Sequence, residues 1–208
     1  GRRFDVDVMD DLETAGLAFG RLSAQFIRDK VVPELDAFRF ASYCGISGVT
    51  KKEETLADGA ATVAALSAAV TAMDDEEVTA TGRYLFITPT LLQGINDMDT
   101  TKSKKVLEGF EQVIKVPQRR FYTAIKQLSG KTGEEAGGYT KATGAANINF
   151  AIVQKDALIQ YTKHAAPKII APENNPDADA YVFGYRMVGI AKAYKNMLSG
   201  MYFSHDKA

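Results

Sequence analysis

The sequence has few of the residues that most often announce chemistry. It holds one cysteine, Cys44, and two histidines, His164 and His205, in 208 residues. A single cysteine forms no internal disulfide, so nothing here calls for an oxidising compartment. Cys44 sits near Phe40, Tyr43 and Ile46 and reads as a small buried hydrophobe rather than a nucleophile. The histidines are far apart, and neither has an acidic or cysteine partner at ligand spacing. A zinc site needs three or four ligands, so no metal is expected, and no cofactor either. An excess of one charge is also missing: 25 Lys and Arg face 26 Asp and Glu, a formal net charge of -1. A nucleic-acid reader usually carries a strong basic excess, which sets that class aside. The longest apolar runs are short and broken by charge, so no membrane-spanning helix is predicted. Internal repeats are absent. The opening GRRFDV has no starting methionine and no signal-peptide pattern, and reads as a fragment of a longer product.

What is present is core-forming material. Hydrophobic residues make up 46% of the chain, enough for one large domain or two small ones. Phe4, Val6 and Val8 alternate with Arg3, Asp5 and Asp7, a half-buried strand. Asp10 followed by Glu13 reads as a capping box opening a long helix over 12–41. Its apolar residues (Ala15, Phe19, Leu22, Phe26, then Ile27, Val31, Leu35, Phe38) drift around the axis, which predicts contacts on more than one side. Pro33 lacks an amide hydrogen and should kink or split that helix. An Ala-rich helix over 56–73 is capped by Asp58; the acidic run 74–77 opposes a C-terminal macrodipole and is expected in the turn beyond it. YLFIT, 84–88, is a buried strand stopped by Pro89, with a short helix over 90–95. FEQVIKV, 110–116, is a second strand ended by Pro117. Residues 121–128 are a short helix or an extended segment, and the glycine-rich 130–144 is a loop. INFAIV, 148–153, is a β-run that passes into a helix-like run with no breaker between. After a Pro/Asn/Asp loop at 172–179, strands follow at 180–194 and 198–203. The mixed order gives α+β rather than a regular βαβ series.

Several short motifs come close to chemistry. SGKTG, 129–133, ends like a phosphate-binding loop, but the glycine required five residues before Gly130 is Ile125; a flexible loop explains it better. PENNPDADAY, 172–181, is rich in oxygen donors yet lacks the central glycine and closing glutamate of a calcium loop, and solvated turn residues account for it. Lys155 or Lys163 at a strand end could serve a Schiff-base enzyme, although a solvated lysine is the plainer reading. Arg119 and Arg120 beside Phe121 and Tyr122 could touch nucleic acid or anchor a protein interface, where Arg and Tyr are enriched.

Taken in order, these segments resemble the major capsid proteins of tailed bacteriophages and prophages. The resemblance is carried by RRFDVDVMD, FGRLSAQFIRDKVVPELDAFRFASYCG, YLFITPTLL, VIKVPQRRFYTAI, INFAIVQKDALIQYTKHAAPKI and DADAYVFGYRMVGIAKAYKNMLSGMYF. It covers nearly the whole chain and is specific as a series, with no single diagnostic motif. It implies the Hong Kong ninety-seven coat fold: a long spine helix, a peripheral domain with a long-stranded sheet, and an axial α/β domain. On this chain, 1–10 would be the returning strand of an extended loop and 11–45 the spine helix. The axial domain would be 46–166, and 167–208 the peripheral and closing strands. The N-terminal arm and most of the extended loop would lie upstream of Gly1.

The function implied is structural rather than enzymatic. The subunit would assemble with itself, as pentamers and hexamers, into an icosahedral shell enclosing phage DNA. That DNA would be contacted non-specifically, which suits a near-neutral chain. A scaffolding protein and a portal would be further partners, with no membrane involved. The implied location is the virion capsid, assembled in the bacterial host cytoplasm. Candidate assembly-interface residues are Arg2, Arg3, Phe4, Arg119, Arg120 and Tyr122. Some family members crosslink a lysine to an asparagine between subunits; that lysine sits on the extended loop, so no crosslinking residue is carried over. Two alternatives stand beside this reading: an encapsulin-like compartment that holds an enzyme as cargo, and a small-molecule enzyme using Lys155 or Lys163.

Overall fold

The computed structural model describes residues 2–13, 17–134 and 137–207. In chain order its elements are β1 (Arg2–Asp7), α1 (Val8–Glu13), α2 (Ala18–Phe26), a π-helical turn (Ile27–Val31), α3 (Val32–Cys44), β2 (Thr50–Glu53), α4 (Gly59–Asp75), β3 (Arg83–Ile87), α5 (Pro89–Asp97), α6 (Thr101–Glu108), β4 (Gln112–Lys115), β5 (Ile125–Leu128), β6 (Gly138–Lys141), β7 (Ile148–Gln154), β8 (Leu158–Ile170), β9 (Ala180–Ala193) and β10 (Met201–His205). The chain forms two compact units, one of Gly1–Pro33 with Gln160–Ile190, the other of Glu34–Ile159 with Ala191–Ala208.

The first helical stretch differs from the single helix expected. Asp7, not Asp10, caps α1: its Oδ1 accepts the Met9 N–H at 2.8 Å. Asp11 Oδ1 accepts the Phe19 N–H at 3.1 Å, satisfying a donor at the start of α2. Ala15 lies outside the described residues. Pro33 neither ends nor splits the helix. Instead a π turn precedes it, in which the Val32 N–H reaches the Ile27 carbonyl five residues back. Pro33 has no N–H for the Asp29 carbonyl and its ring crowds that oxygen. A wider turn before it relieves the crowding and lets α3 continue.

The smaller unit is built on a three-stranded sheet in the order β1-β9-β8. β1 runs antiparallel to β9, with Phe4 opposite Phe183 and Val6 opposite Tyr181. Phe4 stacks on Phe183 at 5.1 Å and meets Phe26 of α2 at 5.2 Å, while Phe19 meets Tyr181 at 5.4 Å. These rings join α2 to one face of the sheet. The buried apolar side chains described in this unit are few: Val6, Ala180, Val182 and Phe183. Its other surprise is β8. The helix-like run expected after Val153 is a one-turn 3-10 segment, Lys155–Ala157, followed by a strand. Ile159, Tyr161, Thr162, Ile169 and Ile170 are β-branched or aromatic and favour the pleated conformation. Pro167 is tolerated because β8 is an edge strand.

The larger unit holds the main core, a five-stranded mixed sheet in the order β2-β10-β7-β3-β4. Both faces are covered. On one, Leu85, Ile87, Phe150, Ile152 and Tyr202 pack with Val63, Leu66, Ala69 and Met73 of α4 and with Leu92 and Ile95 of α5. On the other, Ala151, Val153, Met201 and Phe203 pack with Tyr43 and Cys44 of α3 and with Phe121. Covered twice, β7 is buried at every residue, which is why INFAIV reads as a continuous apolar run. α4 and α5 touch backbone to backbone: a Cβ on Gly59 would overlap the Gly94 carbonyl.

α4 also corrects the reading of the acidic run, because the helix extends through Asp75. The Val78 N–H bonds the Met73 carbonyl and the Glu77 N–H the Asp74 carbonyl, closing the helix in a Schellman motif. Glu77 takes the left-handed position at φ 57 where glycine is usual. The Arg83 side chain, 2% exposed, offsets the unfavourable charge by reaching Asp74 Oδ1 at 2.7 Å. It also donates to the Thr79 carbonyl at 3.1 Å and to the Val78 carbonyl. At the far end Asp58 caps α4, as expected, accepting the Ala61 N–H at 2.7 Å.

Candidate assembly interface

The Arg119–Tyr122 segment is positioned by a 3-10 turn, Gln118–Arg120, that follows Pro117. Phe121 anchors it: the ring is fully buried and meets Phe40 of α3 edge-on at 4.7 Å. Its neighbours are thereby held outward. Arg120 is tied down within the unit, its Nη1 3.1 Å from Asp36 Oδ2. Arg119 is exposed; its carbonyl accepts the Tyr139 hydroxyl at 2.8 Å, and its guanidinium has no partner among the described residues. Tyr122 is half-buried, bridged to Asn147 and covered by the Lys141 ammonium 5.8 Å from its ring centre. The result is a fixed backbone platform presenting one unpaired guanidinium beside aromatic rings. Burial raises the Tyr139 phenol above its ordinary pKa, keeping it a hydroxyl donor to that platform.

The other interface candidates lie in the smaller unit. Phe4 is half-buried in the aromatic cluster with Phe183 and Phe26. Arg2 and Arg3 are placed by register, opposite Tyr185 and Gly184; their side chains lie outside the described residues. Sequence reasoning missed a larger feature of this unit, a set of exposed apolar side chains that includes Met9, Leu12, Leu17, Tyr161, Ile169, Val188 and Ile190. The available signal was Tyr161, in a run read as helix-like, and Ile169 just beyond that run.

The near-motifs resolve into local structure. Ser129–Gly133 follows β5 in the connection to the antiparallel β6, a strand inside the segment read as loop. Gly130 and Gly133 have φ 73 and 85, so the turn uses their left-handed freedom. Glu134 closes it, accepting the Ser129 N–H at 2.8 Å and pairing with Lys126 at 2.7 Å. Lys126, then the Ser129 N–H, hold this carboxyl down to a pKa of about 2. In the 172–179 loop, Asn175 is engaged by its own turn, its Nδ2 donating to the Ala180 carbonyl at 3.0 Å and its Oδ1 accepting the Asp177 N–H at 3.3 Å. Among the described residues no group of three His, Cys, Asp or Glu could hold a metal ion. Lys155 lies with its stem against Gly82, and Lys163 is exposed in mid-β8. Cys44 is buried, and burial pushes its thiol pKa up, away from the reactive thiolate.

Comparison with known proteins rests on shape rather than sequence. No family model matches the chain, and no curated protein matches it. Among solved structures, it is similar to a chain of Mycobacterium phage Che8 at TM-score 0.62 and 12% identity, over 98% of this chain and 68% of that one. It is similar to the virus-like particle from Pyrococcus furiosus at TM-score 0.63 and 10% identity, over 98% and 73%. The capsid of cyanophage P-SCSP1u aligns at TM-score 0.56 and 15% identity, over 99% and 71%. The α+β architecture is therefore the phage coat fold that the series of segments resembles.

Proposed function

We propose that this chain is a structural subunit of a phage-type capsid, assembling with itself into an icosahedral shell around DNA. The observation that carries this reading is the extent of the likeness: the coat fold accounts for 98–99% of the chain, leaving no separate segment for a catalytic domain. The larger unit supplies a rigid, doubly covered sheet, and the smaller presents apolar side chains outward. A net charge of -1 suits non-specific contact with packaged DNA. On this reading 46–166 forms most of the axial domain of pentamers and hexamers, β10 completes its sheet, and a scaffolding protein and portal are partners during assembly in the host cytoplasm. Arg119 is the stronger interface residue of its group, since Arg120 is already paired with Asp36. Neither Lys155 nor Lys163 is given a catalytic role, because neither has an acid or base at hydrogen-bond distance among the described residues.

The test is electron microscopy and sedimentation of the purified chain. Closed shells holding nuclease-resistant nucleic acid are expected, and a chain that stays monomeric across salt and pH would overturn the reading. Arg119→Glu should lower shell yield without lowering the Tm. The likeness to a virus-like particle keeps one second reading open, a compartment for protein cargo. Protein in place of nucleic acid inside the shells would select it.

A further inference from the structure

In the larger unit, β2 lies at one edge of the five-stranded sheet and pairs with β10 alone. Its four residues, Thr50, Lys51, Lys52 and Glu53, are all exposed. The Glu54 N–H bonds the His205 carbonyl of β10. Strand residues alternate in the neighbour their backbone faces, so Thr50 and Lys52 also turn towards β10. Lys51 and Glu53 turn their N–H and carbonyl groups outward, where no described backbone group meets them. Two residues apart, they share a face of the strand, and neither side chain forms an ion pair or hydrogen bond among the described residues. Lys52, on the other face, is already held by Glu54 at 2.9 Å.

We infer that the free edge of β2 pairs with β2 of a second copy, antiparallel about a two-fold axis at Lys52, joining two five-stranded sheets into one. Symmetry and charge fix the register. In such an isologous pair, residues equally far from the axis stand opposite each other. Lys51 then faces Glu53 of the second copy, and Glu53 faces Lys51 of that copy. These are the outward-turned residues, so each pair exchanges both backbone hydrogen bonds and sets opposite charges side by side. An axis at Lys51 or at Glu53 would instead oppose like charges, which destabilises. At the axis the two Lys52 side chains approach, but each brings its own Glu54, and that face stays neutral. Edge lysines ordinarily discourage strand addition. Here the deterrent acts against other strands and is lifted for a copy of this one. The opposite edge strand, β4, has no acid within Gln112–Lys115 and offers no such reciprocity. The contact is four residues a side, below the size of a stable interface, so the dimer is weak and concentration-dependent. It does not depend on the shell reading.

Sedimentation velocity and non-reducing electrophoresis of the full chain test this. The wild-type chain should pass from monomer to dimer as its concentration rises, less so in high salt. Lys51→Glu and Glu53→Lys should each weaken dimerisation at least about tenfold, because each acts twice per dimer. The double exchange Lys51→Glu/Glu53→Lys should restore it, since the opposed charges are again of opposite sign. These changes alter only exposed side chains, so the Tm should hold. In Lys52→Cys the two thiols meet at the axis with Cα atoms ~4.5 Å apart, within disulfide reach, and mild oxidation should give a covalent dimer. Cys44 is buried and does not compete. Glu53→Cys, whose two thiols stand out of register, should give at least about tenfold less. A wild-type chain monomeric at every concentration, a double exchange that stays monomeric, or equal crosslinking at both positions would overturn the inference. Dimers without shells would support it and count against the shell reading; shells in which Lys52→Cys does not crosslink would do the reverse.

Discussion

Replacing Arg83 by methionine separates two accounts of what closes α4. In the first, the ion pair with Asp74 dominates. In the second, the guanidinium matters because it satisfies the Val78 and Thr79 carbonyls just beyond the helix. The geometry decides between them. Asp74 is 55% exposed in its pair with Arg83, so water and salt screen the attraction and its worth is ~0–1 kcal/mol. The carbonyls face a charged donor that is 2% exposed. Bonds from a charged donor contribute ~1.5–3 kcal/mol each, with further cost for a buried acceptor left unpaired. Methionine keeps most of the aliphatic stem, so the cavity cost stays small. Arg83→Met should therefore destabilise the larger unit by about 3–4 kcal/mol, and Asp74→Asn by less than about 1 kcal/mol. Two units need not unfold together, so urea unfolding is best followed through β7 amide protection. If Asp74→Asn costs as much as Arg83→Met, the carbonyl account is wrong.

Three further outcomes are expected. Gly59→Ala should cost about 3 kcal/mol or more in thermal or urea unfolding, because the new methyl meets the Gly94 backbone with nothing flexible to yield. Gly94→Ala, whose Cβ would lie 3.4 Å from Gly59 N, is expected to cost under about 1 kcal/mol. Glu77→Gly relieves a left-handed φ of 57 and should raise stability by about 1 kcal/mol; a lower Tm would contradict the Schellman assignment. The Glu134 carboxyl should titrate near 2 by NMR. Its folded pKa lies below the unfolded one, so its stabilisation is present above pH 4.5 and is lost as pH falls through about 2. Lys126→Met should move that midpoint back towards 4.5.

The sequence made elements legible where local chemistry and tertiary packing agree. YLFIT and INFAIV are strands because they are apolar, β-branched and covered on both faces. Asp58 was readable as a cap because its oxygen meets the N–H three residues on. Legibility failed where a distant partner decides. Asp75 stays helical because Arg83, outside the helix, compensates Asp74. α6 was not anticipated because its capping box uses Thr100 and Ser103 rather than a glutamate or glutamine at the third position. β8 was misassigned because INFAIVQKDALIQYTKH has no glycine or proline where the 3-10 turn reverses its role. Arg119 and Arg120 were indistinguishable in sequence; only the fold brings Asp36 to one and not the other.

Of these failures, the misreading of β8 bears on function. The larger unit bonds its buried polar side chains and buries two apolar clusters against its sheet. Even its buried Ser204 is bonded, to Glu54 at 2.7 Å, and Asn149 Nδ2 donates to the Glu54 carbonyl at 2.9 Å. The smaller unit satisfies far less of its apolar surface, and its β8 pattern of six exposed residues in succession matches no self-contained strand, which would alternate. Such a pattern is what a strand needs if both of its faces meet partners outside the subunit. A periodicity argument sees only the contacts a chain makes with itself. It does not reach a segment whose faces are left open within the subunit, as those of β8 are.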